Sequence, residues 1–144
     1  MTKTYREERR LNWGEADPAG TIYAPQAIDF AIQAVEGLWR EAIGATFRDI
    51  QRTRRLAAPW VRTDCEFARP LFAGDRYALD AAVAKIGNSS LTYRVRAATE
   101  DGTLLFAATL VSVVIDMATM RPAAIPADMR AGFERYVNAV DAAS

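Results

Sequence analysis

The spacing of apolar residues changes period once along this chain, and that change limits what it can fold into. Between residues 25 and 44, Ile28, Ala31, Ile32, Val35, Leu38, Trp39 and Ala42 recur at helical intervals, with Asp29, Gln33, Glu36 and Arg40 on the other side. Pro25 suits the first helical position, where its missing N–H costs nothing, and Gly44 suits the stop. Glu36 and Arg40, four apart, are placed to pair on the surface. Beyond residue 60 the period is two. Val61, Thr63, Cys65 and Phe67 alternate with Arg62, Asp64, Glu66 and Ala68. Tyr77, Leu79, Ala81 and Val83 form a second run, and Leu91, Tyr93 and Val95 begin a third, with Thr92, Arg94 and Arg96 opposite.

Turn signals separate these runs: Gly74-Asp75, the Gly-Asn-Ser-Ser stretch at 87–90 and Glu-Asp-Gly-Thr at 100–103. Residues 104–115 are apolar on both faces, which predicts a strand placed centrally in the sheet. Residues 4–12 read as a first, partly charged strand, 13–24 as a loop, and the stretch before residue 56 as a polar connection. Residues 126–140 read as a C-terminal helix begun by Pro126. The order is strand, long helix, four strands joined by tight turns, then a short helix. Consecutive hairpins favour an antiparallel sheet, and one apolar helix packed on it is an α+β layer architecture. A length of 144 residues with no repeat or linker fits a single domain, 1–144. A lone sheet has a second face and edges to cover, so an oligomer is expected.

Composition removes several function classes. Eighteen basic residues balance eighteen acidic ones, with no tail of one sign, against a nucleic-acid surface or a polybasic membrane anchor. The N-terminal stretch has no apolar core of a signal peptide, and the 104–115 run is too short to span a bilayer as a helix. Cys65 is the only cysteine, so there is no internal disulfide, and a cytoplasmic protein is the simplest reading. The absence of histidine excludes Ser-His-Asp and Cys-His nucleophile systems and a His-based zinc site. No metal or separate cofactor is expected. Acid–base chemistry must fall to Asp, Glu, Lys, Tyr or water.

The carboxylate that stands out is Asp17, in Gly-Glu-Ala-Asp-Pro-Ala-Gly-Thr-Ile-Tyr-Ala-Pro at 14–25. Asp before Pro-x-Gly is common in plain turns. The motif, set just before the long helix, also resembles the segment of 4-hydroxybenzoyl-CoA thioesterase-like enzymes, whose fold is the hotdog: a sheet wrapped around a central helix. Residues 69–79 and 101–122 look like later strands of that family. The resemblance covers nearly the whole chain.

The resemblance implies an acyl-CoA thioesterase. Asp17 matches the carboxylate that attacks the thioester carbonyl or activates a water for that attack. The amides at the start of the helix, about Tyr23 and Ala24, match the donors that polarise the thioester oxygen. Ile32 stands where the hydroxybenzoyl enzyme has a second aspartate that meets the substrate hydroxyl. The expected substrate is therefore an apolar acyl or unsubstituted aryl thioester, with Ile32 either lining the pocket or packing in the core. The turn bearing Asn88, Ser89 and Ser90 matches a region near the coenzyme A moiety, with Lys85 or Arg48, Arg52, Arg54 and Arg55 as candidate phosphate contacts. Coenzyme A enters only as part of the substrate. The competing reading is a non-catalytic acyl-CoA or acyl-carrier binding protein of the same fold. A dehydratase is disfavoured by the missing histidine, and a purely structural subunit would fill the Asp17 region with side chains.

Overall fold

The computed structural model describes residues 3–138. A five-stranded antiparallel sheet carries the fold, ordered β1 (Tyr5–Arg10), β4 (Arg76–Ile86), β5 (Ser90–Ala98), β6 (Leu104–Val113), β3 (Trp60–Phe67). Helix α1 (Ala24–Ile43) packs along its inner face, giving the hotdog fold. Helices α2 (Phe47–Arg54) and α3 (Ala127–Glu134), with a small sheet of β2 (Leu56–Ala57), β7 (Ile115–Asp116) and β8 (Arg121–Pro122), complete the described chain.

The period-two pattern sets which side chains meet the helix. Leu79, Ala97 and Phe106 lie in one cross-strand row, Ala81, Val95 and Ala108 in the next, and Val83, Tyr93 and Leu110 in a third. All are buried. The opposite face carries rows such as Asp80, Arg96, Ala107 and Glu66. Helix α1 answers with Ala27, Phe30, Ala31, Ala34, Val35, Leu38, Trp39 and Ala42. Small residues on both sides let helix and sheet approach closely. At Gly37 an added Cβ would stand 2.3 Å from the Tyr5 ring.

Several details depart from the sequence reading. Helix α1 begins at Ala24, so Pro25 occupies the second position. Gly44 stops the helix as expected, at φ 66°, donating its N–H to the Arg40 carbonyl. Glu36 and Arg40 are not among the ion pairs of the described residues. The buried stripe of α1 is centred on its alanines, which leaves Ile28 and Ile32 at its margin. β6 is an interior strand, but β5 is the middle one, and the predicted run breaks after Val113 because Val114 and Ile115 turn away into the small sheet. β3 does not keep the expected alternation: it is bulged between Trp60 and Arg62, Val61 is in solvent at 61% exposure, and beyond it Thr63 is exposed while Asp64 and Cys65 are both half-buried. As an edge strand it leaves Phe67 half uncovered.

The stretch before residue 56 is not a plain connection. It holds α2, capped by Thr46 and Asp49, which exchange side-chain-to-backbone bonds at 3.1 and 2.8 Å. Phe47 pins this helix by stacking on Trp39 at 4.2 Å and meeting Trp60 edge-on at 5.9 Å. The C-terminal helix is shorter than predicted, ending at Glu134, and the part of the expectation beyond residue 138 lies outside the described residues. Among the described residues no helix is long and apolar enough to cross a membrane.

Candidate active site

Asp17 opens a narrow hairpin. Its N–H donates to the Thr21 carbonyl at 2.8 Å, and its carbonyl accepts from the Gly20 N–H at 2.9 Å. The second bond closes a β-turn with Pro18 and Ala19 at its centre and Gly20 at φ 86°. Asp at the first position, Pro at the second and a left-handed Gly at the fourth are the residues this three-residue loop favours. The Asp17 side chain reinforces the loop, since Oδ1 accepts the Ala19 N–H at 2.9 Å. The Thr21 hydroxyl lies 3.4 Å from Oδ1 and 3.5 Å from Oδ2.

Neighbouring backbone fixes the hairpin to the body of the protein. Ala73 donates to the Gly20 carbonyl at 2.9 Å and Ile22 to the Leu71 carbonyl at 2.8 Å. Asp17 itself is half-buried, and the large exposed rings of Trp13, Tyr23 and Phe72 belong to the segments bonded to its hairpin. Asp17 is therefore partly open to solvent, beside the exposed Pro18 and Ala19.

Of the two amides expected to polarise a thioester, one is engaged. The Tyr23 N–H donates to the Glu15 carbonyl at 3.0 Å, so that expectation narrows to Ala24. Pro25 has no N–H, and Gln26 donates back to the Tyr23 carbonyl at 2.8 Å. The Ala24 N–H has no acceptor among the described residues. The start of α1 also carries no side-chain cap and no acid in its first turn, which leaves the positive end of the helix dipole unneutralised there.

Ile32 is half-buried and packs against the core, about two turns beyond the helix start, while the nearby Asp29 accepts a bond from Gln33 at 2.9 Å. The turn at 87–90 stands apart. It closes through Gly87 N–H to the Ser90 carbonyl at 2.8 Å and follows the far end of β4, whose eleven residues span roughly 35 Å. A single chain thus does not bring Asn88, Ser89 and Ser90 to Asp17. The turn is held by Val114 donating to Ser89 and Ile125 to Asn88, at 2.7 and 2.9 Å. Of the four arginines around α2, Arg54 pairs with Asp128, and Arg48 reaches Gln51 at 3.4 Å.

Two residues escaped the sequence reading. Arg130, on α3, donates to the Gly87 carbonyl at 2.7 Å and so sets a guanidinium on the neutral turn. Nothing local could reveal this, because the contact spans 43 residues. Thr21 could have been found: once residues 17–21 are read as a three-residue hairpin, it becomes the cross-strand partner of Asp17.

Comparison with known proteins agrees with this architecture. A 1,4-dihydroxy-2-naphthoyl-CoA hydrolase of Microcystis aeruginosa is 27% identical over 90 residues, covering 61% of this chain and 64% of that protein. The match therefore spans just under two thirds of that relative's length. A protein of the same name from Acaryochloris marina is 23% identical over 130 residues, covering 89% and 94%. Among solved structures, a 1,4-dihydroxy-2-naphthoyl-CoA thioesterase from Synechocystis superposes with a TM-score of 0.83 at 21% identity, covering 91% and 96%. A Staphylococcus aureus protein in complex with CoA gives 0.86 at 13% identity, covering 98% and 87%. The profile of the Thioesterase-like superfamily matches residues 11–133, from the Asp17 hairpin through α1 and the strands to α3, and the chain belongs to that superfamily.

Proposed function

We propose that the protein hydrolyses an acyl- or aryl-CoA thioester with Asp17 as the reacting carboxylate, in the manner of the 4-hydroxybenzoyl-CoA thioesterase-like enzymes that its motif resembles. The observation that carries this reading is a half-buried carboxylate on a hairpin fixed by backbone bonds, followed seven residues later by the Ala24 N–H, which has no acceptor among the described residues, at an uncapped helix start. In a histidine-free chain a carboxylate is an available base or nucleophile, and Asp17 is the one the motif resemblance points to. Asp17 either takes a proton from a water that attacks the carbonyl carbon or attacks that carbon itself, forming an anhydride that water then opens. In both routes the C–S bond breaks, the thiolate of coenzyme A leaves, and the Ala24 N–H donates to the oxygen as it gains charge. No cofactor enters the scheme.

The distance between Asp17 and the 87–90 turn supports a site completed by a second copy, so that the protein works as a homodimer or homotetramer. The unpaired outer edge of β3, with Val61 and Phe67 exposed, is a surface such a copy would cover. Arg130 then serves as the basic group beside Asn88, Ser89 and Ser90 for a coenzyme A phosphate. Ile32 supports an apolar acyl or unsubstituted aryl group, whereas the named relatives act on a dihydroxylated naphthoyl thioester.

A panel of acyl-CoAs, read by release of free thiol, tests the reading. It should contain aliphatic, benzoyl, 4-hydroxybenzoyl and 1,4-dihydroxy-2-naphthoyl thioesters. Turnover of any supports hydrolysis, and a preference for the apolar members supports the role of Ile32. Tight binding across the panel with no thiol release would favour the non-catalytic carrier. A stable monomer in sedimentation would remove the shared site.

A further inference from the structure

We infer that Thr21 is a positioning residue for Asp17, holding the carboxylate so that Oδ2 is the oxygen presented for reaction. The inference rests on the proposed role of Asp17 in thioester hydrolysis. The two residues face each other across the hairpin loop, joined by the bond from the Asp17 N–H to the Thr21 carbonyl at 2.8 Å. The Thr21 hydroxyl has no other partner among the described residues and sits nearly midway between the carboxylate oxygens, at 3.4 and 3.5 Å. One donor therefore straddles both.

The oxygens are not equivalent. Oδ1 also accepts the Ala19 N–H at 2.9 Å, while Oδ2 has, among the described residues, only the long hydroxyl contact. Each hydrogen bond withdraws electron density from the oxygen that accepts it, so Oδ2 is the better proton acceptor and the better nucleophile. With the hydroxyl removed, the Ala19 bond remains as the one restraint on the carboxylate, whose plane is then free to turn about the Cβ–Cγ bond. The backbone does not follow, because Ala73 and Ile22 hold the hairpin at 2.9 and 2.8 Å. Thr21 thus acts on the reaction through Asp17, and the effect belongs in turnover.

The test compares Thr21→Val, Thr21→Ser and Asp17→Asn on the best thioester of the panel. Valine keeps the branched shape and loses the hydroxyl; serine keeps the hydroxyl and loses the methyl group. The expected result for Thr21→Val is a kcat lowered about tenfold, up to about a hundredfold if the reacting oxygen moves by an ångström, with KM and melting temperature unchanged. Thr21→Ser should recover most of that loss. Wild-type kcat in Thr21→Val overturns the inference. So does a Thr21→Ser variant as slow as Thr21→Val, since the branch and not the hydroxyl would then matter. If Asp17→Asn is itself active, the role of Asp17 fails and the inference falls with it; if Asp17→Asn is inactive and Thr21→Val is not impaired, the inference alone fails.

Discussion

Trp39 donates its indole N–H to the Tyr93 hydroxyl at 3.0 Å, across the interface between α1 and the middle strand of the sheet. The same hydroxyl lies 2.9 Å from Ser112 Oγ on β6, and all three side chains are buried. A polar chain of this kind is stable only when every member is satisfied, and here it ties the helix to one position on the sheet.

Tyr77 makes the opposite arrangement. It is also buried, packed beside Phe30, but its hydroxyl has no hydrogen-bond partner among the described residues. The neighbouring Arg9 directs Nε and Nη2 to Glu7 and Gln33, at 2.7 and 2.8 Å. The two tyrosines should therefore respond differently to loss of the hydroxyl. Tyr93→Phe strands two buried groups and should cost about 1–3 kcal/mol in urea unfolding, while Tyr77→Phe should be neutral or slightly stabilising. Equal losses in both would contradict the assignment of their partners.

Helix α3 meets the end of α1 through Gly132, where an added Cβ would stand 2.6 Å from the Ala42 carbonyl oxygen and 2.7 Å from Ile43 Cγ2. The Ala42 carbonyl also accepts the Arg135 guanidinium at 2.6 Å, so displacing α3 strains that bond too. Gly132→Ala should lower stability by about 1–3 kcal/mol. Gly14→Ala, at a site with nothing within 4 Å, is the control and should change stability by under about 0.5 kcal/mol. Similar melting curves for the two variants would show that α3 yields freely.

Alkaline pH should unfold the protein through its buried acids. Burial, followed by the charges of Asp64 and Glu66, pushes the Cys65 thiol from 9.0 to about 11. Burial raises Tyr77 from 10.0 to about 12, and burial with the Glu41 hydrogen bond does the same for Tyr136. Burial also raises Tyr93. Each group is held in its neutral form by the fold, so its contribution is fully present below its unfolded value. It is lost as pH rises toward the folded value. Melting temperature should therefore fall from above pH 9 and continue falling to about pH 12. A flat profile across that window would contradict these environments.

Much of the fold was legible because period and turn chemistry agreed. Of the apolar stripe of α1, Ala31, Val35, Leu38, Trp39 and Ala42 are buried while Ile28 and Ile32 lie at its margin, and the alternation at Leu79, Ala81 and Val83 named residues that are buried. What escaped notice depended on partners distant in sequence. Helix α2 has only Phe47 and Ile50 as apolar anchors, and its polar surface hid it, although Thr46 and Asp49 spell a capping box. The bulge that exposes Val61 leaves no mark in composition. At the candidate site, the turn opened by Asp17 was legible because it favours Asp, Pro and Gly at fixed places, while the reacting role of Asp17 came from the resemblance of the whole motif. The loss of the Tyr23 amide to Glu15 was not legible, since a backbone bond across a loop depends on how the loop closes.

Asp17→Asn separates chemistry at Asp17 from closure of its turn. Asparagine is equally suited to the first position of the turn and keeps an oxygen for the Ala19 N–H. It cannot take a proton at neutral pH and is a poor nucleophile. On the best substrate of the thioester panel, the variant should melt as the wild type does, with kcat lower by about a hundredfold to ten-thousandfold. A small residual rate is expected from the Ala24 N–H. A normally folded variant that turns over within a few-fold of wild type would contradict the account.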